Sequence, residues 1–135
     1  MYRTTQCPVC KEQPLTHSFF LYSESDDHAW FYSGEHHVPY VDRKVENVMK
    51  HIKGELDYFH NRCPEKPWSW VLDSKEFEFR WETVTLTIEL IRLLRDDSTF
   101  SCLRVIHPNT FLRTTMDICR PFLTEDVLKK VRLEE

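Results

Sequence analysis

An α/β fold is predicted for this chain: a single domain whose mostly parallel sheet carries an antiparallel hairpin at its N-terminal edge and is covered by helices. Three observations predict it. Short aromatic and β-branched runs alternate with segments of helical apolar periodicity, which calls for crossover connections and hence parallel strands. The first two runs instead lie close together across a polar "ESDD", as the strands of a hairpin do. At 135 residues, with 41% hydrophobic and 30% charged side chains, the chain has the size and composition of one globular domain.

Residues 17–23 (HSFFLYS) and 28–33 (HAWFYS) are read as the hairpin strands, and Asp26 and Asp27 as turn residues between them. Across 42–60, Val45, Val48, Met49, Ile52, Leu56 and Phe59 recur on one helical face. Asp42 suits the N-cap, and Pro64 and Pro67 bar continuation. Gly54 costs such a helix about 1 kcal/mol relative to alanine, which predicts a close neighbour there. WSWVLD, 68–73, is the third strand. Residues 82–95 carry two signals: "TVTLTIEL" alternates like a strand, whereas "IELIRLLR" has helical spacing, and the length favours a helix. A strand at 102–106 ends at His107-Pro108, with Pro108 expected to hold His107 extended. Asn109 or Thr110 then caps a helix over 110–119, and a last helix starts at Thr124, with Glu125 and Asp126 in its first turn.

Composition narrows the function. A formal net charge of −4 argues against a nucleic-acid binder. No apolar run approaches the roughly 20 residues of a membrane span, and the N-terminus lacks the apolar stretch of a secretory signal. Five cysteines, an odd number, point to a reducing compartment, with a cytoplasmic location expected. The two glycines, Gly34 and Gly54, form neither GxGxxG nor GxxxxGK, so no phosphate-cradling loop is present.

Catalytic pairings are equally sparse. Cys102 and His107 are five apart along a strand, about 16 Å and on opposite faces. His60 and Cys63 fall three apart at a helix end and can touch, but no third residue is evident to orient them. Neither GxSxG nor HExxH occurs, and no catalytic residue is assigned. The chain is expected not to be an enzyme.

Cys7-Pro8-Val9-Cys10 has the spacing with which two thiolates grip one zinc ion. It lies in a short N-terminal extension, residues 1–16, ahead of a domain spanning 17–135. The hairpin brings His17, His36 and His37 to the same end, while His28, His60 and Cys63 fall at the other. Neighbouring side chains of an extended segment point apart, so His17 would act with one of His36 and His37. A structural zinc site of Cys7, Cys10, His17 and His37 is therefore the metal expectation, set against two free thiols on the extension.

The succession "WSWVLDSKEF", "TLTIELIRLLRDD", "CLRVIHPNTFL" and "CRPFLTEDVLKKV" resembles the CRAL-TRIO lipid-binding family over roughly residues 40–132. Serine follows the strand-ending acid where the family usually has glycine, and "FSCL" replaces its arginine-bearing signature. The chain ends at Glu135, and the family's final strand is not expected in it. The resemblance implies a lipid pocket between the sheet and a gate helix, which maps onto 111–119. Phe111, Leu112, Thr115, Met116 and Cys119 would form the ligand-contacting face, unless that face merely packs on the sheet. Two functions follow. The first is a non-catalytic interaction or scaffolding module with a protein partner and a reduced or lost lipid pocket. The alternative is a small carrier or sensor of a hydrophobic ligand or phospholipid, making peripheral contact with membrane surfaces.

Overall fold

The computed structural model describes residues 19–34, 44–75 and 81–134. Its elements run β1 (Phe20–Glu24), β2 (Ala29–Ser33), α1 (Val45–Arg62), β3 (Trp68–Asp73), α2 (Trp81–Asp96), β4 (Phe100–Ile106), α3 (Thr110–Cys119), a 3-10 turn (Arg120–Phe122), α4 (Glu125–Lys129) and β5 (Val131–Glu134). The sheet order is β1-β2-β3-β4-β5. Only the β1–β2 pair is antiparallel; β2–β3, β3–β4 and β4–β5 are parallel. This is the α/β architecture expected from the alternation of strand and helix patterns.

Every parallel step moves the same way across the sheet. Right-handed crossovers then place the connecting helices on one face, in agreement with the contacts of α2 with α1, α3 and α4. The strands turn aromatic side chains to that face. Phe31 stacks on Phe19, and Trp68 is met by Phe19, Phe31 and Phe100 at centroid distances of 6.5, 5.4 and 5.1 Å. Ile52, Leu56 and Phe59 of α1 and Leu94 of α2 close this core from above. The other face carries Phe20 and Tyr22 beside Tyr32, and farther along the sheet Arg104 lies 5.9 Å from the Trp30 ring.

Three sequence expectations are corrected and one ambiguity is resolved. Thr124 caps α4 as anticipated, its Oγ1 accepting the Val127 N–H, but that helix stops at Lys129 and Val131–Glu134 form a fifth strand. The chain reverses there because the free edge of β4 offers backbone partners that a short helix cannot supply. Residues 81–96 are helical, as the length of that segment favoured: Thr85 and Thr87 donate their hydroxyls to the Trp81 and Thr83 carbonyls, so the alternating threonines are absorbed within the helix. His107 is not extended but has φ 52°, in the left-handed region. Ser74 Oγ donates to the carbonyls of Ile106 and His107, and His107 Nδ1 pairs with Asp73 Oδ1 at 3.1 Å, which fixes this turn.

Gly54 is the third correction. A methyl group there would meet no atom within 4 Å, so close packing does not require glycine. Gly54→Ala is expected to raise stability by about 1 kcal/mol, read as a higher urea midpoint with an unchanged slope. Asp42 falls outside the described residues; α1 starts after Lys44, which makes no side-chain cap.

Candidate functional site

Between the helix-covered face of the sheet and α1, α2 and α3 lies a cavity of about 430 Å³. Its roof is one stripe of α2: Thr83, Leu86, Thr87, Leu90, Ile91 and Leu94. These positions follow the spacing i, i+3, i+4, i+7, i+8, i+11, a full helical face turned inward. Alternate residues of the strands make the floor, Trp70 and Leu72 from β3, Leu103 and Val105 from β4. Val48 and Ile52 of α1 close one side, and α3 closes another.

The polar groups on this wall are largely committed elsewhere. Thr87 Oγ1 donates to the Thr83 carbonyl at 2.7 Å, and Thr115 Oγ1 to the Phe111 carbonyl at 3.0 Å. Ser33 Oγ accepts the Trp70 indole N–H at 2.9 Å. Cys119 Sγ lies 3.8 Å from the Val84 carbonyl, and burial pushes its thiol up, so it stays protonated. The cavity therefore presents hydrocarbon to whatever occupies it. Its polar end is at the carboxyl ends of β2 and β3, where Gly34 and Asp73 reach it. Asp73 there accepts the Lys75 N–H and faces His107.

The helix that the sequence singled out is positioned by Asn109. Its Oδ1 accepts the Leu112 N–H at 2.9 Å, and its Nδ2 donates to the Ser74 carbonyl at 3.1 Å. One side chain thus caps α3 and ties it to the end of β3. Of the five residues named for the gate face, Leu112, Thr115, Met116 and Cys119 line the cavity. Phe111 does not; it is 55% exposed. Cys119 also packs against Val84 and Ile91 of α2, so the face both packs and lines. Sequence reading gave α2 as a helix but assigned no lining residue to it, since nothing within that segment says that its apolar stripe faces a cavity.

In the two Cys/His pairs of the sequence, each side chain engages another partner. His60 Nε2 donates to Asp97 Oδ2 at 2.8 Å, an orienting partner 37 residues away that no local pattern announces. Cys63 Sγ instead lies 3.7 Å from Glu24, which also binds Arg62 and Lys66. His107 points to Asp73 rather than to Cys102, whose thiol meets Ser69. Burial raises the Asp97 carboxyl, but hydrogen bonds from Thr99 and His60 outweigh it and hold the group below its ordinary value. A depressed carboxylate contributes stability above its unfolded value near 3.8, lost as pH falls through the folded one. Asp97→Asn should therefore lower the urea midpoint at pH 7 and flatten its decline below about pH 4.

Cys7, Cys10, His17 and His37, the expected zinc ligands, lie outside the described residues, as does His36. Among the described residues no cluster of three or more histidine, cysteine or acidic side chains could hold a metal. Among them, too, no helix is long and apolar enough to cross a membrane.

Compared with known proteins, the chain matches no family profile and no curated sequence. Among solved structures it is similar to the crystal structure of Sfh5, at 12% identity with a TM-score of 0.65. The match covers 91% of this chain and 50% of that one, so the chain spans half the length of that structure. At such low identity the likeness speaks for the fold alone. That fold is CRAL-TRIO-like: an α/β domain with a five-stranded mixed sheet and helices over it.

Proposed function

We propose that this domain binds a hydrophobic small molecule, with a lipid acyl chain as the ligand class, and acts as a non-catalytic carrier or sensor. The observation that carries this is the cavity under α2 and α3. Its volume of about 430 Å³ falls in the roughly 300–1,000 Å³ range of small-molecule sites. Its hydroxyls at Ser33, Thr87 and Thr115 are already engaged with protein groups. Such a lining favours hydrocarbon and penalises a polar ligand, whose buried groups would go unpaired. The cavity also favours this reading over a scaffold that has lost its pocket. Titration with a fluorescent fatty acid tests it: saturable one-to-one binding at micromolar concentration is expected, and no saturation would reject it.

A membrane surface is the place where such a ligand would be exchanged. Phe111, Ile118 and Phe122 are exposed at spacings of seven and four residues, so they share the outer side of α3 and its 3-10 extension. Replacing Phe111 and Phe122 together by glutamate should reduce cosedimentation with phosphatidylserine-containing vesicles at least fivefold. Fatty-acid binding in solution should be unchanged.

A further inference from the structure

We infer that β5 is a homodimerisation edge, at which two copies pair antiparallel about a two-fold axis at Leu133 and join their sheets into one. The inference starts from the ladder. Leu103 N–H donates to the Lys130 carbonyl at 2.7 Å. In a parallel pair the backbone groups that face β4 then belong to Lys130, Arg132 and Glu134. Those of Val131 and Leu133 point to the outer edge, where no strand pairs among the described residues.

That edge is short and carries Arg132 and Glu134, but it has no bulge, proline or lysine, and its two charges are of opposite sign. The opposite edge, β1, is interrupted by a register shift between Leu21 and Ser23. The β4–β5 register runs without a shift from Leu103↔Val131 to Ile106↔Glu134. No proline or lysine lies within β5, and Leu133 is 40% exposed, with Leu128 of the preceding helix 46% exposed. A regular, partly apolar edge invites another strand.

The sequence of β5 selects a second copy and a register. Outward-pointing groups on Leu133 allow a two-fold through a hydrogen-bonded Leu133–Leu133 pair. Arg132 of one copy then lies directly opposite Glu134 of the other, twice, on the same face of the joined sheet. A two-fold at Arg132 would also satisfy the backbone but would set two arginines opposite each other, which is unfavourable. Within one copy Arg104 already holds Glu134 through two bonds of 2.6 and 2.8 Å. Dimerisation would therefore extend an existing row to Arg104, Glu134 and the second copy's Arg132, with Glu134 preoriented to receive it.

Sedimentation equilibrium of the full chain across a concentration series tests the pairing. A reversible monomer–dimer equilibrium is expected for the wild type. Leu133→Pro removes the outward N–H while leaving the N–H groups of Arg132 and Glu134 to the β4 ladder, so the dimer should be lost with the circular dichroism retained. Arg132→Glu, at an exposed position that spares the monomer, should weaken the dimer at least tenfold. A wild type that stays monomeric at the highest concentration, or a dimer indifferent to Arg132→Glu, would overturn the inference.

Discussion

Trp68→Ala is expected to cost about 3–5 kcal/mol, the usual range for removing a buried tryptophan. Against a total stability of roughly 5–15 kcal/mol for a small domain, this is a large fraction. Trp68 is fully buried where β3 crosses beneath α1, and Phe19, Phe31 and Phe100 all contact its ring. Its indole N–H donates to Asp97 Oδ2 at 3.1 Å, so truncation also removes a donor from a half-buried carboxylate. Trp68→Phe helps to separate the two contributions, because it keeps much of the ring packing while removing the hydrogen bond. Urea unfolding should place Trp68→Phe about 1–2 kcal/mol below the wild type, well above Trp68→Ala. Equal losses in the two variants would show that the bond to Asp97, rather than packing, dominates.

The second large effect is on binding. Leu86 lines the cavity roof from α2 and lies outside the aromatic core around Trp68. Leu86→Trp puts an indole into space that a ligand would occupy, while the open volume lets the ring fit at a small cost in stability. Fatty-acid affinity should fall at least about tenfold, equivalent to about 1.4 kcal/mol, with the urea midpoint close to that of the wild type. An unchanged affinity would place the ligand elsewhere. Filling an exposed position such as Tyr58 of α1 serves as the control, since it is remote from the cavity lining.

Much of the architecture was legible because its signals are local. The WSWVLD strand runs over 68–73 as read, and the helix over 110–119 has the bounds that Pro108, Asn109 and the apolar spacing indicate. Asn109 caps it through Oδ1, as its residue type suggests. β5 was not legible, since Val131–Glu134 is too short for periodicity and its strand state depends on the edge of β4, about 30 residues earlier. His107 shows the same limit. A following proline favours extended backbone, but the Ser74 hydroxyl and the Asp73 carboxylate hold φ at 52°. The inner face of α3 was visible as a helical stripe, whereas the depth of the cavity beneath it depends on how far α2 stands from the sheet. No pattern within either segment encodes that distance. Phe111 was assigned to the inner face from its neighbours' spacing; one position before Leu112, it rotates outward into solvent.

The central claim is that the space beneath α2 and α3 holds a hydrophobic chain. Native mass spectrometry of the wild type and Leu86→Trp, each purified without detergent, tests it most directly. The account predicts discrete lipid-mass adducts on the wild type, released on collisional activation and strongly depleted on Leu86→Trp. A wild type that is bare as purified and after incubation with fatty acid, or adducts equally abundant on both proteins, would contradict it.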